Sequence, residues 1–180
     1  MSLDRDLLAM LAAKEEIREL AYLYSRAVDR MDEALLRSLY TPDGVDHHGE
    51  MFRGSAEDYV TWLASRWRSR SPSRNFYSGH HVCNHLISVS GDEGEGEVYT
   101  IAWHTRADAA DQLFEEIYLV RYLDRYRRVD GLWRFASRDV AFDLHTSRPF
   151  TEGDEIAPFG DAELSYAVLK RRLFARGPRA

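Results

Sequence analysis

The feature that most constrains the fold of this chain is the order of its segments, with helical stretches first and long β-rich stretches afterwards. Apolar residues recur every three or four positions from Leu7 to Val28, which predicts a first helix. Asp32 before EALLRSLY and Ser55 before AEDYVTWLASRW occupy the positions of N-caps. They predict a second and a third helix.

Four long segments after Pro72 are rich in β-branched and aromatic residues, and turn signals separate them. The clearest turns are Gly91-Asp92 and Asp130-Gly131, which predict antiparallel hairpins. Helices followed by a run of strands form the α+β pattern, in which the helices pack on one face of a sheet.

The end of the chain has a different character. From Pro149 onward the sequence predicts a loop and then a final helix, DAELSYAVLKRRLFARG, whose basic end suits a helix C-terminus. A length of 180 residues is enough for one domain with a substantial core. We therefore expect one domain over residues 1–148 and a C-terminal loop and helix extension over residues 149–180.

The composition excludes several classes of protein. With 44% hydrophobic and 30% charged residues, the chain has the balance of a soluble globular protein. No apolar stretch approaches the ~18 residues of a transmembrane helix, and the acidic start does not resemble a secretory signal. A single cysteine, Cys83, cannot form an internal disulfide, which favours the cytoplasm. The net charge of -6 argues against a nucleic-acid partner.

Histidine is the main candidate for proton transfer, because its charge changes near neutral pH. The chain has 7 His, and Phe, Trp and Tyr make up a further 12% of its residues. This aromatic content fits either a lined apolar cavity or a thick core. Most of the histidines fall in two clusters or in a predicted strand: His47-His48, His80-His81 with His85, and His104.

A carboxylate on the first helix is the best partner for such a histidine. Asp29 lies two helical turns after Tyr22, so the two residues share one face of the helix. A carboxylate on the inward side of a helix is unfavourable unless it is paired, and an opposing imidazole would pair it. The alternative is an exposed Asp29 beside Arg30, and the spacing leaves both arrangements open.

Metal binding and cysteine chemistry are weaker hypotheses. Several residues are of types that zinc or iron accepts: Asp46, His47, His48, His80, His81, His85 and His104. They form neither an HExxH motif nor a spaced HxH…H motif, so we expect no metal site. Cys83 in a predicted strand is interpreted as a small buried hydrophobe rather than a nucleophile.

Four segments together resemble a known family. They are YLYSRAVDRMDEALLRSLYTPDGVDHHG, FRGSAEDYVTWL, HHVCNHLISVSGDEGEGEVYTIAWH and RYLDRYRRVDGLWRFASRDVAFD. From about Leu7 to about His145 the chain is similar to a SnoaL-like domain of the nuclear-transport-factor-2-like superfamily, in the branch with scytalone dehydratase, γ-hexachlorocyclohexane dehydrochlorinase and bile-acid 7α-dehydratase. The resemblance implies a conical α+β barrel, with three N-terminal helices packed on a strongly curved, mostly antiparallel sheet around one pocket.

The resemblance also implies a catalytic pair. Asp29 matches the family's helix Asp, and His80 matches its strand His because that residue stands four positions before an Asn, here Asn84. His81 is the alternative, since only one of two adjacent strand residues enters the pocket without a bulge. Supporting catalytic or substrate-binding positions are His104 one strand later, Tyr22 and Tyr24 on the first helix, His47 where the family has a Tyr, and Asn84.

The activity implied is that of a lyase without a cofactor. The expected reaction, dehydration or dehydrohalogenation, removes a proton and a leaving group from a small hydrophobic cyclic substrate, with His80 as general base and Asp29 orienting it. The family also implies a homo-oligomer, trimer or dimer, formed through the outer face of the sheet. The alternatives are an isomerase or cyclase that uses a carboxylate base, and a non-catalytic binding subunit such as the small subunit of a ring-hydroxylating oxygenase.

Overall fold

The computed structural model describes residues 2–69, 77–108, 110–149, 151 and 160–179. The N-terminal helices are α1 (Ser2–Asp29), α2 (Glu33–Ser38) and α3 (Ala56–Arg68). The strands are β1 (Tyr40–His48), β2 (Phe52–Ser55), β3 (Ser78–Ser90), β4 (Glu93–Ala107), β5 (Leu113–Val129) and β6 (Leu132–Pro149). The tail contains the short helix α4 (Leu164–Val168), with 3-10 turns at Gly160–Ala162 and Arg172–Phe174.

All six strands form one sheet in the order β2-β1-β6-β5-β4-β3. The β1–β6 pairing is parallel, and the other pairings are antiparallel. The sheet is curved but not closed, with β2 and β3 as its edges. The predicted α+β class and the mostly antiparallel sheet are therefore confirmed, and the cone is formed by an open sheet rather than by a closed barrel.

The core lies between the helices and the concave inner face of the sheet. Ile17, Leu20 and Tyr24 of α1 are buried there against aromatic side chains such as Trp133 and Phe135 of β6. Burial of each large apolar side chain contributes about 1.5–3 kcal/mol, so this layer is the main source of stability. The apolar residues predicted to form the inner face of α1 are buried in its second half, which packs on the sheet. Leu7 and Leu11 in its first half are exposed.

The local signals for helices and turns are confirmed. The Asp32 side chain accepts a hydrogen bond from the backbone N of Leu35 at 3.0 Å, which caps α2. Ser55 caps α3 through the backbone N of Asp58 at 3.1 Å. Asp130 and Gly131 both adopt positive φ, at 52° and 78°, as a tight two-residue hairpin requires.

The predicted C-terminal helix is largely wrong. Only Leu164–Val168 is α-helical, and the chain beyond it runs across α1 and α2. The reason is polar anchoring: Arg26 donates to Ser165 Oγ at 2.8 Å and to the Phe174 carbonyl at 2.9 Å, and Asp32 Oδ2 accepts from the backbone N of Gly177 at 2.9 Å. These contacts satisfy the tail backbone without a continuous helix. The predicted loop at residues 152–159 lies outside the described residues.

Among the described residues, none of the helices combines the length and the apolar character that are needed to cross a membrane.

Candidate active site

A cavity of about 510 Å³ opens between the helices and the inner face of the sheet. Its walls are mainly apolar and aromatic, with Val28, Trp62, Leu63, Val120, Tyr122 and Phe142 among them. The histidines among its lining residues come from two parts of the sheet: His80 and His104, next to Ser78, from β3 and β4, and His48 from β1. Other polar lining side chains, Arg106 and Glu116 among them, belong to β4 and β5. Such a pocket, apolar with a few convergent polar groups, is typical of a small-molecule site.

Asp29 and His80 form the best-defined polar pair at the cavity: His80 lines it, and Asp29 holds His80 from behind. Asp29 is the last residue of α1 and only 8% exposed, and its Oδ1 lies 2.6 Å from His80 Nδ1. Its Oδ2 accepts from the backbone N of His80 at 3.0 Å, and Ser78 Oγ lies 3.4 Å from Oδ1. A carboxylate at a helix C-terminus opposes the helix dipole, so these donors are what make its burial tolerable.

The Asp29 contact also defines which nitrogen of His80 faces the cavity. A carboxylate at Nδ1 assigns the ring proton to that nitrogen, which leaves the Nε2 lone pair available. His80 lines the cavity, and its side chain is only 9% exposed. The pair therefore presents an oriented base to an apolar chamber.

His104 lies next to this pair, as expected. Ser78 Oγ lies 3.1 Å from His104 Nδ1, and the His80 and His104 rings are 5.1 Å apart and steeply inclined. Ser78 thus connects Asp29 to His104. A hydroxyl has one proton, so when Ser78 donates to Asp29 it accepts from His104.

Strand alternation and a bulge set the orientation of the histidines in β3. Val82 pairs with Thr100 and His85 with Val98, so one extra residue is inserted between Val82 and His85. His80 lies in the cavity wall, while the adjacent His81 is exposed. Downstream of the bulge the alternation reverses.

Two side chains of β3 point to solvent because of this bulge and the edge position of the strand. Asn84, predicted as a supporting substrate-binding position, is exposed and is not among the residues that line the cavity. Cys83 is also exposed, contrary to the buried position predicted for it.

Two further candidates are corrected by their position. Tyr22 is 52% exposed and outside the cavity, because the helix face that meets β3 at Asp29 is open to solvent two turns earlier. His47 lies on the outer face of the sheet, where its Nδ1 is 2.9 Å from Asp139 Oδ1. Since successive strand residues point to opposite faces, His48 faces the cavity instead. Tyr24 does line it.

Sequence reasoning missed a second carboxylate–histidine pair. Asp46, which is completely buried, holds His48 Nδ1 through Oδ1 and accepts from Tyr40 Oη through Oδ2 at 2.6 Å. His48 Nε2 lies 3.4 Å from Tyr59 Oη and 3.5 Å from Tyr24 Oη. The available signal was the spacing of Asp46 and His48, which puts both on one face of β1.

The tyrosines near His48 are neutral hydrogen-bond donors at ordinary pH. Tyr24 Oη and Tyr59 Oη are 2.8 Å apart. Burial, reinforced by the charge of Asp46, raises the pKa of Tyr24, and burial raises the pKa of Tyr40 and Tyr59 well above the usual value near 10.0. Their hydroxyls stay protonated.

A buried ion pair lies behind the aromatic wall. Arg138 donates to Asp124 through Nε and Nη2, both at 2.7 Å, and both side chains are fully buried. The guanidinium lies 4.1 Å from the centroid of the Tyr24 ring and 4.0 Å from that of Tyr122. Attraction between a cation and ring faces in a dry environment fixes these two cavity-lining rings.

The rim of the cavity is organised by Glu116, which the sequence did not indicate. Its carboxylate accepts from Arg106 Nε at 2.7 Å and lies within 3.3 Å of Tyr118 Oη and 3.5 Å of His145 Nε2. His145 stacks on Tyr118 with ring centroids 4.3 Å apart.

Within the described ranges, no three His, Cys, Asp or Glu side chains are grouped so that they could hold a metal ion.

The fold and the site define a class: an α+β protein with a curved sheet around an apolar cavity that contains an aspartate–histidine pair. The model of the SnoaL-like domain matches residues 9–139, and the chain belongs to that family. The resemblance noted from the sequence is thereby confirmed. A search of curated proteins finds no match.

Solved structures share the fold. A provisionally named scytalone dehydratase from Novosphingobium aromaticivorans is 21% identical, covers 76% of this chain and 87% of its own, and has a TM-score of 0.64. A type 2 hexachlorocyclohexane dehydrochlorinase is 21% identical over 88% and 98% of the two chains, with a TM-score of 0.65. A provisionally named aromatic ring hydroxylase, also from N. aromaticivorans, is 16% identical over 78% and 94%, with a TM-score of 0.63. At these identities the likeness concerns the fold.

Proposed function

We propose that this chain is a cofactor-independent lyase that eliminates a proton and a leaving group from a small, cyclic, apolar substrate. The observation that carries the proposal is the 2.6 Å contact between Asp29 Oδ1 and Nδ1 of His80, which lines the cavity. His80 Nε2 removes an acidic C–H proton, and the released electron pair forms a C=C bond as the bond to the leaving group breaks.

Asp29 serves His80 in two ways. It holds the imidazole in the tautomer that leaves Nε2 unprotonated, and its negative charge compensates the imidazolium formed on proton transfer. Its bond to the backbone N of His80 fixes the ring relative to α1. General base catalysis of this kind typically contributes about 10²–10⁴-fold to the rate.

The cavity supports the proposed substrate class. A volume of about 510 Å³ suits a molecule of one to a few rings, and the walls are mainly apolar and aromatic. Two leaving groups should be tested first, chloride and hydroxyl. They are suggested by the similar structures that are named as a hexachlorocyclohexane dehydrochlorinase and a scytalone dehydratase.

The isomerase alternative is less well supported by the geometry. An isomerase of the expected type uses a free carboxylate as base. Here both oxygens of Asp29 are engaged by His80, and Ser78 adds a further donor. These donors occupy both carboxylate oxygens, so His80, which lines the cavity, is the group placed to act as base. A non-catalytic binding subunit would not need this pair.

The test is turnover of a small substrate panel. Purified protein is incubated with cyclic β-hydroxy ketones and with hexachlorocyclohexane, and unsaturated product is measured by absorbance and mass spectrometry. We expect turnover of at least one class, and its loss in His80→Gln. Absence of turnover for both classes, together with no exchange of the proton next to the carbonyl of cyclohexanone in D₂O, would reject the proposal.

A further inference from the structure

We propose that Asp46 and His48 form a second proton-transfer pair that protonates a leaving hydroxyl, which makes the substrate class a cyclic β-hydroxy carbonyl compound. The inference rests on the proposed elimination and narrows it. A halide departs as a stable anion and needs no proton, whereas a hydroxyl group departs readily only as water. A dedicated acid in the cavity therefore points to an oxygen leaving group.

The two pairs lie on different sides of the cavity. His80 belongs to β3, at one edge of the sheet, and His48 belongs to β1 near the opposite edge. Three strands, β6, β5 and β4, separate them in the sheet, and both histidines line the same cavity because the sheet curves around it. A base and an acid from strands separated by three others in the sheet can therefore reach different atoms of one bound substrate, as removal of a proton and of a leaving group requires.

The contacts of His48 match those of an oriented proton-transfer group. Asp46 is completely buried and divides its two oxygens between Tyr40 Oη and His48 Nδ1. A buried carboxylate is unfavourable unless both of its oxygens accept hydrogen bonds. Tyr40 satisfies one oxygen of Asp46, and the imidazole of His48 satisfies the other. As at Asp29, the carboxylate orients the ring and leaves Nε2 directed away from it.

His48 Nε2 has capacity for a further partner. Its distances to Tyr59 Oη and Tyr24 Oη, 3.4 Å and 3.5 Å, are at the outer limit of hydrogen bonding. The two hydroxyls instead bond each other at 2.8 Å. The His48 ring also stacks on the Tyr59 ring, with centroids 4.8 Å apart, which holds it in place. A substrate oxygen at Nε2 would complete this arrangement.

Tyr24 and Tyr59 can help to position the leaving oxygen, but they do not supply the proton that it takes up. Burial raises the pKa of Tyr59 and Tyr24, so both hydroxyls keep their protons near neutral pH. One of these protons is used in the bond between the two hydroxyls, and the other hydroxyl can donate to the substrate oxygen. In the proposed step His48 transfers a proton from Nε2, and the negative charge of Asp46 compensates the charge of the ring before the transfer.

The proposed elimination conserves protons and electrons. Neutral His80 takes the proton from the carbon next to the carbonyl, and that C–H electron pair forms the C=C bond. The C–O bond electrons leave with the oxygen, which takes a proton from His48 Nε2 and departs as water. The products are an α,β-unsaturated carbonyl compound, protonated His80 and neutral His48, and exchange with solvent restores both histidines.

Two assays on the same variants separate the acid from the base. Dehydration of 3-hydroxycyclohexanone is followed by the absorbance of the enone, and deuterium exchange at the carbon next to the carbonyl of cyclohexanone is followed by NMR. For His48→Gln we expect dehydration to fall about 10²-fold or more while exchange is unchanged, because exchange requires only the base. Asp46→Asn, which leaves His48 in place, should also slow dehydration and spare exchange.

The matched control is His47→Gln, at the next residue on the outer face, which should change neither rate. Dehydration by His48→Gln at the wild-type rate would overturn the inference and leave the proposed lyase intact. Loss of both activities in His48→Gln would also overturn it, since the effect would not be specific to the leaving group. Wild-type protein that converts hexachlorocyclohexane but no hydroxy ketone would overturn the substrate class. Wild-type protein without any of these activities would overturn the lyase proposal, and the inference with it.

Discussion

The carboxylate of Asp29 accepts two hydrogen bonds from His80, one from the imidazole Nδ1 at 2.6 Å and one from the backbone N at 3.0 Å. The backbone bond joins the last residue of α1 to the start of β3, and the side-chain bond orients the ring within that fixed frame. The same contact thus links helix to sheet and organises the candidate site.

Asp29→Asn should lower kcat/KM for the elimination by about 10²–10⁴-fold. The amide can donate to Nδ1, which favours the tautomer with a protonated Nε2 and removes the base. The matched control is Asp139→Asn, which changes an aspartate–histidine contact on the outer face of the sheet. Equal losses in the two variants would contradict a specific role for Asp29.

Asp124→Asn should destabilise the fold by about 3–5 kcal/mol, because it leaves the buried Arg138 guanidinium without its counter-charge. The free energy of unfolding is measured by denaturant titration. Asp143→Asn is the control, since the pair of Asp143 with Arg121 is partly exposed and worth at most about 1 kcal/mol. Similar small losses in both variants would show that the buried pair is not a structural determinant.

The free energy of unfolding should decrease as the pH is lowered, and part of this decrease should come from the protonation of His85. Burial lowers the pKa of His85 from its usual 6.5 to about 4, with a smaller opposing effect of Asp124. The native state therefore binds fewer protons than the unfolded state between these values, so the contribution is fully present above about pH 6.5 and is lost as pH falls to about 4. Allowing for partial exposure, it amounts to about 1–3 kcal/mol.

The His85 contribution is measured from unfolding curves at several pH values between 4 and 7, comparing wild type with His85→Gln. The variant should show a weaker dependence of stability on pH in this window. The exposed His81 provides the control, and His81→Gln should keep the wild-type slope. A His85→Gln slope equal to that of wild type would contradict the assignment.

Self-association remains a prediction, and we expect a second copy of this chain to cover the outer face of the sheet. Ile101, Leu119 and Leu144 are exposed there and are cross-strand neighbours on β4, β5 and β6, which makes one continuous apolar stripe. Light scattering should give the mass of a dimer or trimer for wild type and of a monomer for Leu119→Glu. Leu173→Glu, at a similarly exposed leucine of the tail, is the control. A monomeric wild type would refute this expectation.

Local chemistry made most of the fold predictable. The caps at Asp32 and Ser55 and the turn at Asp130-Gly131 each depend on a few neighbouring residues, and all three occur as expected. The C-terminal tail differs because its conformation depends on distant partners. Contacts from Arg26 and Asp32 hold it in a non-helical path that its own apolar pattern did not indicate.

The candidate site residues on the strands could be predicted only where it was known which of two adjacent residues points into the cavity. Alternation along β1 distinguishes His47 from His48, but the sequence alone does not say which parity faces inward. In β3 the bulge after Val82 changes the parity within one strand, so apolarity could not choose between His80 and His81. That choice depended on the family resemblance.

The most direct test of the account compares His80→Ala with His81→Ala, two adjacent histidines on opposite sides of the same strand. The rate measured is substrate elimination, with exchange of the acidic C–H proton in D₂O as a second readout. The account predicts a loss of about 10²–10⁴-fold in both rates for His80→Ala and wild-type rates for His81→Ala. An active His80→Ala, or an inactive but folded His81→Ala, would contradict it.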